Sequence, residues 1–338
     1  MIRIRNITVA ILFFCLLLFV VYRIGPVTEI DNINTVIPVV TDDLRALEIY
    51  VKQKEASLKN KLKPGNEAVI VWADSIPSKT SYSIVYLHGW SASREEGAPL
   101  HLQTARKFHC NLYLPRLSHH GFKGSEGMYG LTAEKLLASA KEALAIASKM
   151  GEKVIIMATS TGASLALYLA GENPCVAAVI MYSPNVAIYT KAAGLLSGPW
   201  GLELARLING DYFEFKADAY RKKFWTHRYR VEALPQLQGL LDRIMVRSTF
   251  KKVTQPVFMG YFYKSEAEQD RIVSVKAMLQ MFEQLGTPKK LKYKKAFPNA
   301  GHHVITSHVL SKDLNTVKKE TFYFIENKIG LKPSVNLN

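Results

Sequence analysis

Residues 154–166 constrain this chain more than any other stretch. Val154-Ile155-Ile156-Met157-Ala158 is an apolar run, Thr159-Ser160-Thr161-Gly162 breaks it, and Ala163-Ser164-Leu165-Ala166 continues with small residues. The spacing predicts a buried strand, a sharp turn and a helix start. A strand that is apolar on both faces needs neighbouring strands on its edges and helices over both faces. The pattern small-x-Ser-x-Gly in this setting is that of a nucleophile elbow, a turn that strains the serine backbone and projects its hydroxyl above the sheet. Residues flanking the serine are small because strand and helix nearly touch there. Here the first small position is Ala158 rather than glycine. The plainer alternative makes Ser160 a helix N-cap and nothing more.

The rest of the chain supplies the sheet that such a strand needs. Apolar, strand-like runs occur at 67–73, 82–88, 110–117, 153–159, 176–183, 256–263 and 291–297. The last alternates lysine with apolar residues, as an edge strand does. Helical spacing occupies 42–61, 98–108, 132–149, 162–171, 274–285 and 312–328 between and around them. Strand and helix in alternation predict an α/β fold, a mainly parallel sheet flanked by helices. The alternation breaks at about 185–252, which is helix-like, basic and aromatic, and reads as a helical cap inserted between two strands. At 338 residues the chain is long enough for one large domain with such an insertion. The expected organisation is an N-terminal segment over 1–24, a linker over 25–41 and a single domain over 42–331.

Residues Ile7 to Tyr22 are apolar except Thr8, with Arg3 and Arg5 before them and Arg23 after. No small-x-small cleavage site follows, and Phe13-Phe14 before Cys15 excludes a lipidation box. The segment is expected to be an uncleaved signal anchor, a transmembrane helix with its arginine end cytoplasmic. Glu29 and Asp31 follow on the far side, and the remaining chain is then periplasmic or otherwise extracytoplasmic. A cleaved secretory signal is the alternative. The formal net charge of +16 brings nucleic acid to mind. The basic residues are dispersed, however, and no nucleic-acid-binding motif accompanies them, so no nucleic-acid partner is expected. A basic surface facing anionic lipid fits better. Three cysteines without a CxxC give neither a disulfide framework nor a zinc signal, and no metal or other cofactor is expected.

Chemistry-bearing residues follow three more strands. After 256–263 comes Asp270, in a loop before a helix, where a helix cap is the plainer reading. After 291–297 comes Ala300-Gly301-His302-His303-Val304-Ile305, two of the chain's nine histidines side by side. Serine, acid and histidine therefore appear in the chain order expected after an elbow. Either histidine is a candidate base. Early in the chain, His88-Gly89-Trp90 ends a strand, where a backbone amide can meet a developing oxyanion.

With these residues in hand, the chain resembles an α/β-hydrolase of the serine carboxylesterase and monoacylglycerol lipase type. The resemblance rests on His88-Gly89-Trp90, on Pro115 to Gly121, on the Ser160 elbow, on Asp270-Arg271-Ile272-Val273 and on Gly301 to Ile305, and it spans about 65–328. It implies a Ser160–His–Asp270 triad, with the Trp90 and Thr161 amides holding the oxyanion and His88 bracing its loop. It favours His303 as base, because the family places the base directly before a short apolar pair, and leaves His302 as the alternative base. The expected function is cleavage of carboxylic esters, with short to medium acyl groups or monoacylglycerol-like molecules as small-molecule substrates. An acyltransferase or peptidase on the same triad, or an envelope interaction module without catalysis, remain as other readings.

Overall fold

The computed structural model describes residues 2–30, 33–34, 36–124 and 126–334. Asp31 and the side chains of Arg3 and Arg5, invoked above as flanks of the apolar run, lie outside the described residues. The strands are β1 (Val69–Val71), β2 (Thr80–Leu87), β3 (Asn111–Leu114), β4 (Gly151–Thr159), β5 (Val176–Tyr182), β6 (Tyr212–Glu214), β7 (Arg228–Arg230), β8 (Val257–Tyr261) and β9 (Lys292–Ala296). The helices are α1 (Ile2–Arg23), α2 (Leu44–Ala56), α3 (Leu100–Lys107), α4 (Ala133–Met150), α5 (Thr161–Ala170), α6 (Gly201–Asn209), α7 (Ala219–Phe224), α8 (Ala233–Ile244), α9 (Arg247–Lys252), α10 (Val275–Gln284) and α11 (Leu314–Phe324).

Seven strands form one sheet in the order β1-β3-β2-β4-β5-β8-β9. Only β1 runs antiparallel to its neighbour. The apolar run that opened the sequence argument is the central strand. β4 pairs along its length with β2 on one edge and β5 on the other. Its side chains alternate between faces, as strand geometry requires. Val154, Ile156 and Ala158 enter the core beneath α4, α5 and α10, whereas Ile155 and Met157 enter the core beneath α3 and α11. The lysine-rich run becomes β9, at the edge of the sheet.

Local signals explain where the helices start. The Thr132 side chain caps α4 by accepting from the Lys135 amide, and Ser274 caps α10 by accepting from Ala277. α4 lays Ala140, Ala143 and Ala147 toward the sheet, so the helix approaches closely. In α5 the closeness is extreme. A Cβ on Gly162 would stand 2.1 Å from the Leu87 carbonyl oxygen and 2.6 Å from that of His88.

The stretch 185–252 divides in two. α8 and α9 pack against α4 and α5, and Leu240, Ile244 and Phe250 belong to the same core as β4. Residues 186–230 lie mostly outside that layer, with Tyr229 buried in the same core and Val186, Phe213 and Phe215 packed against it. They hold α6, α7 and the antiparallel pair β6–β7. β6 and β7, three residues each within a basic and aromatic stretch, carry too little alternation to be read from sequence.

The expected transmembrane anchor needs correction. Residues 7–22 do lie in a helix, α1, but no helix among the described residues is long and apolar enough to cross a membrane. A 16-residue apolar run rises only about 24 Å, short of the roughly 30 Å hydrocarbon core. The carboxyl end of α1 meets the 186–230 segment instead: Trp200 Nε1 donates to the Val21 carbonyl at 3.0 Å, and the Trp200 amide to that of Pro26 at 2.8 Å.

The tight α5–β2 approach sets an expected outcome. Gly162→Ala places its methyl against backbone that cannot give way. It should lower stability by about 3 kcal/mol or more, or prevent folding. Urea denaturation of the purified variant beside wild type checks this.

Candidate active site

The strand-to-helix turn holds Ser160 at φ 54°, ψ −121°, a strained conformation for a residue with a Cβ. Its surroundings fix that conformation. The Ser160 amide donates to the Tyr182 carbonyl at 2.9 Å, and the Ser160 carbonyl accepts from the Asn185 amide at 3.1 Å. Asn185 Nδ2 also donates to Thr161 Oγ1, and Ser164 Oγ to the Asn185 carbonyl. Loops after β4, β5, β8 and β9 converge here, at the carboxyl ends of the strands, where open α/β sheets form their sites.

Asp270 sits in the loop after β8 and is 1% exposed. Its Oδ1 accepts from the Ile272 and Val273 amides, and its Oδ2 lies 2.6 Å from His303 Nδ1. Burial pushes the Asp270 carboxyl up, but the charge and hydrogen bond of His303 and the two amides outweigh it, so its pKa is lowered. His303 mirrors this. Burial lowers its pKa, while Asp270 first and Glu96 second raise it, and the net direction is upward. The Ser183 hydroxyl, next to Tyr182, donates to the His303 carbonyl at 2.7 Å and so ties the histidine loop to the strand beside the elbow. His302 is engaged differently. Its Nδ1 accepts from the Val304 amide at 2.9 Å, and burial lowers its pKa to about 4.

The loop after β2 carries Trp90. His88 is fully buried, with Nδ1 donating to the Gly89 carbonyl at 2.9 Å and Nε2 accepting from the Leu117 amide at 3.1 Å. His120 repeats the arrangement: Nδ1 donates to the Ser118 carbonyl and Nε2 accepts from the Ser91 amide. Each ring must be neutral to accept at Nε2, and burial holds both pKa values low, that of His88 at about 4. Among the described residues, the Trp90 and Thr161 amides donate to no protein group. The Trp90 ring is held from outside by Tyr229, through Nε1 to the phenol oxygen at 3.1 Å.

Segment 186–230 rests on these loops. The Thr226 amide donates to the Ser91 carbonyl, the Tyr220 hydroxyl to Glu95, and the Tyr220 ring meets His308 edge-on. Sequence reasoning missed one group at the centre. Glu96 is 2% exposed and accepts from the Gly89 amide at 2.6 Å and the Tyr86 hydroxyl at 3.3 Å. Its only sequence signal is an acidic residue close behind His88-Gly89-Trp90, and an acid in a polar turn usually faces water. Among the described residues, no group of three or more His, Cys, Asp or Glu side chains is placed to hold a metal ion.

A sequence profile of the alpha/beta hydrolase family matches residues 84–311, most of the chain and every residue of this site. The chain belongs to that family. Solved structures with the same alpha/beta hydrolase fold include one described with the metagenome-derived lipolytic enzymes LipS and LipT, at 17% identity, TM-score 0.64, covering 79% of this chain and 99% of the other. Est1E from Butyrivibrio proteoclasticus, with ferulic acid bound, is similar at 17% identity and TM-score 0.55, over 78% of this chain and 95% of its own. A monoacylglycerol lipase from Paleococcus ferrophilus is similar at 14% identity and TM-score 0.56, over 77% and 98%. No curated protein matches the chain.

His101 makes the cost of buried neutral histidine in this hydrolase measurable. It packs edge-on to Tyr86, donates from Nε2 to the Arg94 carbonyl, and is held by burial at a pKa of about 4. The unfolded chain takes up that proton below about pH 6.5 and the folded chain does not. Stability from this residue is present at neutral pH and is lost as pH falls toward 4. A glutamine keeps a donor but does not titrate. His101→Gln should therefore gain on wild type by roughly 1–2 kcal/mol between pH 6.5 and 5, read from urea denaturation at each pH.

Proposed function

We propose that this alpha/beta hydrolase cleaves carboxylic esters with Ser160 as nucleophile, His303 as general base, Asp270 as the acid that orients it, and the Trp90 and Thr161 amides as oxyanion donors. The observation that carries the reading is the 2.6 Å contact of Asp270 with His303 Nδ1, in loops that converge on a strained serine. With its proton on Nδ1 facing a carboxylate, the His303 ring keeps a lone pair on Nε2 to receive the serine proton. Ser160 then attacks the acyl carbonyl, and the carbonyl oxygen gains charge as the tetrahedral intermediate forms. Two uncommitted amides can meet that charge, each worth on the order of 3 kcal/mol in the transition state. The imidazolium returns its proton to the departing alcohol, and water releases the acyl group by the same steps.

His302 is unsuited to this role because its Nδ1 is occupied within its own turn. The substrate class is supported by the proteins that share this fold, among them lipolytic enzymes, a protein with ferulic acid bound and a monoacylglycerol lipase. It follows also from the 186–230 segment, which lies against the Trp90 loop and leaves a short or medium acyl chain favoured over bulky triglyceride.

The serine assignment is tested by fluorophosphonate labelling with adduct mapping, followed by aryl esters of graded acyl length. Ser160→Ala should abolish both labelling and turnover in a folded protein. His303→Ala should lose about 10⁴-fold or more in kcat, while His302→Ala should keep most of it. An adduct on another serine, or the reverse ranking of the histidines, overturns the assignment.

The N-terminal helix supports attachment to lipid without spanning it. α1 exposes Ile11, Leu12, Phe13, Phe14 and Phe19, each more than half accessible, and this apolar surface supports a reading in which the hydrolase sits at a membrane surface. The full chain should sediment with anionic vesicles in high salt, and a chain starting at residue 28 should not. Release of the full chain by salt alone would assign binding to the basic surface instead.

A further inference from the structure

Glu96 is the one acidic side chain in the site that the ester-cleaving steps do not use. It lies in a short 3₁₀ turn, Arg94–Gly97, packed against β2 and β4. Among the described residues no lysine or arginine pairs with its carboxyl group. Its Oε2 accepts from the Gly89 amide and the Tyr86 hydroxyl, and its backbone carbonyl accepts from Thr306 Oγ1 at 3.0 Å. Tyr86 Oη lies 2.9 Å from Thr159 Oγ1, which is 3.5 Å from Thr306 Oγ1. One buried polar cluster thus touches the residue before Trp90, the residue before Ser160 and the loop just beyond His303. The cluster is also close to the nucleophile. A Cβ built on Gly89 would stand 2.8 Å from Glu96 Oε1 and 3.0 Å from Ser160 Cβ.

We propose that Glu96 is a positioning residue for ester cleavage: it clamps the His88–Gly89 peptide, the one that leads into the Trp90 amide, so that this amide is aimed at the oxyanion, and from the same buried cluster beside Ser160 and the His303 loop its charge acts on His303 as a second carboxylate beside Asp270. The proposal rests on the triad read above. Glycine has the freest backbone of any residue, and Gly89 sets the direction of the Trp90 N–H. A short hydrogen bond to a buried carboxyl fixes one side of that residue. The facing charge has its own effect. Burial pushes the Glu96 carboxyl up to about 7, opposed by the Gly89 amide, by His303 and by Tyr86. Ionised Glu96 in turn favours the protonated ring of His303. The other groups around this pair are Asp270 against His303, neutral His302 with Arg221 beyond it, Tyr86 on Glu96 itself, and neutral His101 beside Tyr86.

Two variants of the full chain separate clamp from charge. Glu96→Gln keeps an oxygen to accept from Gly89 and removes the charge; Glu96→Leu removes both. In protein carrying isotopically labelled histidine, the NMR titration of the His303 ring should move to lower pH in Glu96→Gln. The acid limb of kcat/KM should move the same way. Glu96→Leu should lose about 10²-fold in kcat, the scale of a misaimed catalytic donor, with KM within threefold, and Glu96→Gln should recover most of that loss. A His303 titration unchanged in Glu96→Gln overturns the facing charge. A kcat for folded Glu96→Leu within twofold of wild type overturns the clamp. If Glu96→Leu does not fold, a Glu96→Gln with wild-type titration and pH profile still overturns the proposal. Failure of the triad itself looks different: wild type then takes no fluorophosphonate on Ser160, while the His303 titration still reports whether Glu96 faces it.

Discussion

The architecture turns on the contact between the start of α5 and the end of β2. Ser160 can hold a left-handed backbone only because the helix after it descends onto the Leu87 and His88 carbonyls, with Gly162 supplying the absent side chain. That contact fixes the height of the serine above the sheet and brings the β2 loop, with Trp90, to the same spot. It also explains why alanine serves at position 158. The residue there is fully buried on the core face, where a methyl group fits and a larger group would part β4 from α5. Central placement of β4 between β2 and β5 then distributes the strain over two paired edges.

Around this contact the protein buries several ionisable groups. His88, His101 and His120 are held neutral and act as fixed hydrogen-bonding blocks. Asp270 and His303 are held toward their charged forms by each other. Glu96 lies between these regimes, with burial and amide hydrogen bonding pulling its carboxyl in opposite directions. Each outcome follows from whether a partner compensates the desolvation of the charge. The buried histidines without an acid are pushed further toward the neutral ring, and the one with an acid is moved the other way.

Much of this was readable in the chain because the signals were local. The β4 run, the small residues of the elbow and the strand–helix alternation depend on neighbours in sequence, and they yielded the sheet and the candidate Ser160. Asp270 and the paired histidines were legible as loop residues in a telling order. Which ring turns toward Asp270 was indicated only by the family resemblance, since in physical terms it depends on the turn in which the Val304 amide engages His302. Glu96 was invisible for a similar reason: its side chain turns inward because its own loop folds back to offer the Gly89 amide seven residues earlier. The division of 185–252 between core and covering segment depends on where α8 lands, and periodicity reports an apolar face without naming what covers it. The apolar run at 7–22 was read as a span because composition speaks more plainly than length.

The edge strand β9 has a consequence for how the molecule keeps to itself. An unpaired strand edge offers a row of amides and carbonyls to any extended chain that drifts by. Here that edge presents Lys292, Lys294 and Lys295, with Lys294 held by Glu283 and Lys295 by Glu320. A second copy approaching edge to edge would bring the same ammonium groups against their own kind and would have to strip water and acidic partners from them. The sheet is therefore closed to further growth on that side by charge, without a helix or a barrel seam to seal it. The same three lysines thus discourage one copy from adding its edge to another.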